Sequence, residues 1–275
     1  MTTSFSPPAL SNLSQLDAVL QAQGYAVLEP ISFAHLAGLE LAQLNDLNSQ
    51  WNALPPDTYL KDGGRYRRRR HSCFVVDGAE VTQVAHRPHW QPVEYNALHG
   101  GMQRWFEPMP PSVVAEAVWQ QLLVWLGAVA TQHVLNQGEL RHCELRQGES
   151  RPGELHQTSS ALPWFVEAHQ FRIDTTDGIG RPTPEGAHRD GVDLVAVFMV
   201  DRVGIKGGET RVFDAAGPNG QRFTLTQSWS LLLLDDARVI HESTPIQPTG
   251  QAGEAGHRDT LVVTLRRGGF QGEGA

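Results

Sequence analysis

One short stretch of the chain has residue types and spacing that suit metal chemistry. It reads Pro184-Glu-Gly-Ala-His188-Arg-Asp190-Gly-Val-Asp193. In extended backbone, residues two apart project to one face, so His188 and Asp190 can grip one ion from a single strand end. The third ligand must come from a neighbouring strand. His241, in Leu234-Asp-Asp-Ala-Arg-Val-Ile-His241, lies far enough along the chain to return beside the pair. Two imidazoles and a carboxylate on one side of an ion leave its other positions open. Non-haem Fe(II) oxygenases use that arrangement to admit a chelating cosubstrate and O2. A His-x-Asp pair alone is a weak signal among 12 histidines. Its surroundings strengthen it. Lys206-Gly-Gly-Glu-Thr210 forms a turn into a strand, and Arg258-Asp-Thr260 opens the apolar strand Leu261–Leu265. Arg258 and Thr260 share a strand face. A guanidinium grips a carboxylate with two parallel hydrogen bonds, and a hydroxyl can add a third. Such a pair suits the distal carboxylate of 2-oxoglutarate.

Two further groups are candidates. In His169-Gln170-Phe171-Arg172-Ile173, Gln170 and Arg172 share a face. Facing inward they are cosubstrate-binding candidates; facing outward they are solvated and Phe171 packs inside. Lys61-Asp-Gly-Gly-Arg65-Tyr66-Arg67-Arg68-Arg69-Arg70-His71 is the only basic cluster. Alternation puts Tyr66, Arg68 and Arg70 on one face and Arg65, Arg67 and Arg69 on the other. Tyr66 and Arg68 are the candidates for a substrate carboxylate, against a merely solvated or structural cluster. His86, His89 and His99 read as structural or exposed loop residues. Cys73 and Cys143 read as buried thiols.

The elements that position these residues follow from periodicity. Apolar residues recur with helical spacing from Leu13 to Gly24, from about Ser32 to Leu54, and from about Pro111 to Leu135. Trp119 and Trp125 on the last of these face either a partner or the core. Later segments are short, rich in Val, Leu, Phe and Thr, and punctuated by Gly, Pro and Asp: Phe165–Ile173, Leu194–Val200, Glu209–Phe213, Gln221–Leu225, Trp229–Leu234 and Thr260–Arg266. That is the pattern of an antiparallel sandwich or barrel. Ser72–Val76 is expected as an edge strand. Gly178, Gly180 and Gly186 are expected in a mobile loop near the site.

Composition narrows the function classes. The 275 residues are 40% hydrophobic and 19% charged, an ordinary globular balance. The formal net charge of -8 disfavours nucleic acid as a partner. The longest apolar run, Leu194–Val200, is too short to span a bilayer. Two cysteines make neither a disulfide framework nor a Cys-based zinc site. The N-terminus lacks the pattern of a secretory signal, so the expectation is a soluble cytoplasmic protein.

The order His-x-Asp, distal His, then Arg-x-Thr resembles the Fe(II)/2-oxoglutarate-dependent dioxygenases. Asp62-Gly-Gly-Arg-Tyr-Arg, Tyr95-Asn-Ala-Leu-His-Gly-Gly, His169-Gln-Phe-Arg-Ile and His257-Arg-Asp-Thr-Leu-Val-Val-Thr are similar to one subfamily, the bacterial L-isoleucine 4-hydroxylase-like and BsmA-like proteins. The resemblance covers roughly residues 60–267. It implies a mainly β, α+β fold: a double-stranded β-helix (jelly roll, cupin-like) in a single domain, 1–275. N-terminal helices would occupy 1–60, and a core over 61–270 would include the helix near 111–135. It implies Fe(II) held by His188, Asp190 and His241, and 2-oxoglutarate held by Arg258 and Thr260. The implied reaction is O2-dependent hydroxylation of a small substrate, a free L-amino acid, or oxidation of its sulfur, releasing succinate and CO2. Two rivals stand beside it: a non-catalytic metal- or 2-oxo-acid-binding protein tied to stress or biofilm, and another cupin-type metalloenzyme. Glu242 stands where relatives carry Gly, which puts the pocket beside the metal in question. The oligomeric state is not legible.

Overall fold

The computed structural model describes residue 7 and residues 10–138, 163–250 and 255–272. Cys143 lies outside them. The chain enters through helix α1 (Leu13–Gln23), strand β1 (Tyr25–Leu28), α2 (Pro30–Ala37), α3 (Leu41–Asp46) and a 3-10 helix (Leu47–Ala53). Strands β2 (Arg67–Asp77) and β3 (Glu80–Gln83) follow, then α4 (Pro111–Val114) and α5 (Ala117–Asn136). The remaining strands are β4 (Trp164–Asp174), β5 (Leu194–Val203), β6 (Ile205–Gly207), β7 (Thr210–Asp214), β8 (Gly220–Phe223), β9 (Ser230–Asp235), β10 (Val239–Ser243), β11 (Ile246–Pro248) and β12 (His257–Arg266).

Seven strands form one antiparallel sheet in the order β1-β9-β5-β12-β4-β2-β3. Two smaller antiparallel sheets, β10-β7-β8 and β11-β6, complete a jelly-roll-like body. Two-residue periodicity divides every long strand between two environments. On β12, Leu261, Val263 and Leu265 enter the main core under the helices. Arg258, Thr260, Val262 and Thr264 line a cavity on the other face. On β4, Trp164, Val166 and Ala168 face the helices, whereas Glu167, His169, Phe171 and Ile173 face the cavity. Helix α5 supplies the facing layer through Val118, Trp119, Leu122, Trp125, Leu126 and Val129. Trp119 and Trp125 are thus core residues. Gly127 lets α5 come close: an added Cβ there would lie 3.0 Å from Val76 on β2.

The structure amends three expectations. The helix expected over Ser32–Leu54 is three pieces, because Gly38 caps α2 in the left-handed region at φ 63°. The helix expected from Pro111 splits into a single turn and α5. The expected edge strand near Ser72–Val76 is the eleven-residue β2, paired on both sides by β4 and β3. Gly180 is tied into the body, exchanging backbone hydrogen bonds with Ile246 at 3.0 and 2.8 Å. Among the described residues, no helix is long and apolar enough to cross a membrane.

Candidate metal centre and cosubstrate cavity

His188 and Asp190 lie in the segment entering β5, and His241 lies on β10. A bridge between backbones joins the two: His188 and His241 exchange hydrogen bonds at 3.0 and 2.9 Å. This places the imidazole centroids 4.6 Å apart. Asp190 Oδ1 is 3.8 Å from His188 Nε2, and its Oδ2 is 3.8 Å from His241 Nε2. The gaps leave room for an ion with bonds of about 2.0–2.2 Å to each ligand. Nδ1 of His188 donates to the carbonyl of Gly186 at 2.9 Å, so its Nε2 presents a lone pair to the centre. Nδ1 of His241 is buried without a partner. Burial opposes protonation of His188, yet the carboxylates of Asp190 and Glu185 outweigh it and hold its pKa above the usual value. His241 goes the other way, because burial and the neighbouring His188 both disfavour charge. The donor set suits a divalent first-row metal.

A supporting shell fixes these side chains. The Asp236 carboxylate accepts the backbone N–H groups of Asp190, Gly191 and Val192 at 2.9, 2.7 and 3.1 Å. The Gln91 amide donates to Asp190 Oδ1 at 3.1 Å. The Gln271 amide donates to the carbonyls of Asp190 and Gly191 at 2.8 and 2.7 Å. Glu242 turns aside: its carboxylate accepts from Arg211 at 3.2 Å, outside the cavity lining.

The cavity runs from this centre along the inner face of β12, β4 and β2. Arg258 lies in it, 4% exposed. Its Nε has no partner, and among the described residues no carboxylate makes an ion pair with it. Burial and the nearby Arg202 pull its pKa down to about 10, so it remains a cation at neutral pH. Thr260 is buried on the same wall.

Four expected site residues fall elsewhere. Gln170 and Arg172 project from the helix-facing side of β4, the parity of the core residue Leu261 opposite Gln170. Arg172 grips Asp259 at 2.7 and 2.6 Å and reaches Asn52 at 3.1 Å. Tyr66 is buried against Ile173, Ile205 and Ile246, and its hydroxyl donates to Asp62 at 2.6 Å. Arg68 is half-exposed, 3.7 Å from Asp174. The opposite parity of β2 carries the cavity arginines, Arg67 and Arg69. Arg67 is paired with Asp57 at 2.7 Å. The Arg69 guanidinium lies between the rings of Phe106 and Phe171, 3.9 and 4.3 Å from their centroids.

Sequence reasoning missed a second cluster altogether. His71, His89, Glu167 and His169 meet in the buried wall of the cavity. His71 Nε2 and His89 Nδ1 donate to Glu167 at 3.0 and 2.6 Å. Arg69 donates to His169 Nδ1 at 2.7 Å. Of the loop histidines expected to be structural or exposed, His89 and His99 are buried. His89 and Arg104 are locked by paired backbone hydrogen bonds at 2.9 and 3.0 Å.

The fold agrees with the comparisons. Residues 48–264 match the 2OG-Fe dioxygenase family model. The chain belongs to the 2OG-Fe dioxygenase family. It is 47% identical to a bsmA homologue from Methylobium petroleophilum, with a TM-score of 0.81 over 98% of this chain and 97% of that one. Two more distant structures share the fold. IDO from Bacillus thuringiensis is 15% identical, with a TM-score of 0.65 over 94% of this chain and 100% of that one. The Fe(II)/α-ketoglutarate-dependent dioxygenase TqaL is 20% identical, with a TM-score of 0.65 over 94% and 88%. No curated protein matches the chain. The family uses Fe(II), 2-oxoglutarate and O2, and a His-His-Asp group of the kind it requires is present.

Proposed function

We propose that this dioxygenase hydroxylates a free L-amino acid, with His188, Asp190 and His241 holding Fe(II) and with Arg258 and Thr260 holding the distal carboxylate of 2-oxoglutarate. The overall change is substrate, O2 and 2-oxoglutarate to hydroxylated substrate, succinate and CO2. The bound iron and 2-oxo acid supply the oxidising chemistry for this conversion.

The chain's own residues do the positioning. The triad ligands sit on one side of the centre and leave the cavity side open. Asp236 holds the backbone of the ligand loop, and Gly186 sets the His188 ring with Nε2 inward. One observation carries the reading: a buried guanidinium, Arg258, shares the cavity with the triad and has no ion-paired carboxylate among the described residues. A charge removed from water without a counter-charge is costly, and a dicarboxylate cosubstrate offsets that cost. The small volume of the cavity, about 130 Å³, supports a small substrate.

The test is anaerobic addition of Fe(II) and 2-oxoglutarate to metal-free protein. The 2-oxo acid chelated to iron should give a weak visible charge-transfer band. The band should vanish in Asp190→Ala. In Arg258→Met it should need far more 2-oxoglutarate to form. No band in the wild type at verified iron content would overturn the reading. Succinate release across a panel of amino acids then identifies the substrate.

A further inference from the structure

The cavity holds four buried arginines, and they divide into two kinds. Arg67 and Arg69 have carboxylate support from Asp57, at 2.7 and 3.9 Å. Arg258 and Arg104 have none at ion-pair distance among the described residues, and the Nε of each is buried without a partner. Arg258 has its role in the proposed function, whereas Arg104 has none. It is 2% exposed and lines the cavity. Among the described residues, its only side-chain hydrogen bond is from one terminal nitrogen to Gln91 Oε1, at 2.9 Å. The amide nitrogen of the same Gln91 donates to Asp190. One glutamine thus spans the distance between this guanidinium and a triad ligand.

On the triad's other flank stands Glu185. Its Oε1 lies 3.7 Å from His188 Nε2, and its Oε2 is buried without a hydrogen-bond partner. Glu185 and Arg104 are close enough for the carboxylate to favour the charged guanidinium, although burial dominates and brings Arg104 down to about 10. They are not paired. A buried guanidinium and a half-buried carboxylate therefore face one cavity, each with unused hydrogen-bonding capacity, beside the metal centre.

We infer that Arg104 and Glu185 form a zwitterion-selective substrate subsite, in which Arg104 takes the α-carboxylate and Glu185 the α-ammonium of a free amino acid. This rests on the proposed function and names the groups that select its substrate class. A ligand bearing both charges satisfies both orphaned groups, whereas an amine or a 2-hydroxy acid leaves one buried charge unmatched. Val192, Val197 and Val262 line the same cavity and give an aliphatic side chain an apolar surface.

Calorimetry on the full chain, with 2-oxoglutarate present and Co(II) in place of iron, tests this. The probes are free L-isoleucine, L-leucine and L-methionine, the amines lacking their carboxylate, and the 2-hydroxy acids lacking their ammonium. At least one amino acid should bind, and its amine and hydroxy-acid counterparts should bind at least about thirty-fold more weakly. Arg104→Met should weaken the amino acid by a similar factor, leave its amine unaffected and preserve 2-oxoglutarate binding. Glu185→Gln should erase the preference over the hydroxy acid and leave metal stoichiometry unchanged. Arg104→Lys, which keeps the charge, should recover part of the loss and controls for folding.

Three results would overturn the subsite. One is an Arg104→Met variant that loses 2-oxoglutarate instead. Another is a Glu185→Gln variant that loses metal. The third is wild-type protein that binds 2-oxoglutarate but none of the amino acids. Absence of the iron–2-oxoglutarate band, by contrast, breaks the dioxygenase reading, while amino-acid binding stays readable by heat alone.

Discussion

The molecule contains two histidine–carboxylate clusters in one cavity, built from the same residue types and put to opposite use. In the triad, the carboxylate stands 3.8 Å from each imidazole nitrogen, and the space between the donors is open. In the second cluster, Glu167 is already in contact, at 3.0 and 2.6 Å, with nitrogens that must carry hydrogen to donate. Arg69 donates to Nδ1 of His169, which places that ring's hydrogen on Nε2, facing Glu167 at 3.7 Å. A nitrogen that carries hydrogen cannot ligate a metal. Residue identity is thus a poor guide to metal binding. What separates the two clusters is the partner of one ring's Nδ1 in each: an acceptor, the Gly186 carbonyl, for His188 in the triad, and a donor, Arg69, for His169 in the network. Burial keeps the network rings neutral, with His89 pulled down to about 4 even though Glu167 favours its charged form. Burial also resists ionisation of Glu167, but the surrounding imidazoles prevail and hold it well below the usual carboxylate range.

The largest expected contrast is in metal affinity. Asp190→Ala should weaken Co(II) binding by more than about 100-fold, beyond the 10–100-fold that losing a supporting partner costs. Glu167→Gln should leave the stoichiometry, measured by equilibrium dialysis, at one metal per chain. A second equivalent bound in the wild type and lost in Glu167→Gln would erase the distinction.

Stability should reverse the order. Glu167→Ala strands two buried donors and should cost roughly 2–6 kcal/mol in denaturant unfolding, at one to three for each. Asp190→Ala in metal-free protein should cost less than about 1 kcal/mol. It relieves repulsion with Asp236, whose pKa burial and Asp190 together raise to about 6.

The third contrast is in pH dependence. An imidazole whose folded pKa is depressed contributes stability above its unfolded value of about 6.5. That contribution disappears as pH falls toward about 4. The thermal midpoint should drop across this window, by roughly 2–4 °C per kcal/mol lost. His89→Asn should flatten that part of the profile. An unchanged slope would show that His89 is not held neutral.

The smallest effect calibrates the other sign. His133 sits between Asp17 and Asp235 at 2.9 and 3.0 Å, tying α5 to α1 and β9. Burial opposes its charge, but the two carboxylates raise its pKa. Its stabilisation is present below about 6.5 and is lost as pH rises through the raised value. His133→Gln should therefore cost more stability at pH 6 than at pH 9.

The sequence by itself displayed the His188-x-Asp190 pair, His241, the Arg258-x-Thr260 pair and the short-strand pattern of an antiparallel sandwich or barrel. Side chains at i and i+2, and an Arg-x-Thr pair on the strand that follows, depend on local backbone period and chain order, and both can be read along a line. It also placed α1 and most strands, where apolar period and punctuation coincide. Parity was not legible. Alternation separated Tyr66 and Arg68 from Arg67 and Arg69, and Gln170 and Arg172 from His169 and Phe171, but it does not say which set faces the cavity. Both faces of this sheet are covered, one by helices and one by the smaller sheets, so neither set had to be the solvated one. The second cluster and Arg104 were invisible for another reason. Glu167 meets residues from β2 and from the segment carrying His89 only because β2 pairs with β4 and the His89–Arg104 bridge folds over them. Such contacts join residues 78 and 96 positions apart. No local period encodes a meeting across that distance; strand pairing and packing in the tertiary structure decided it.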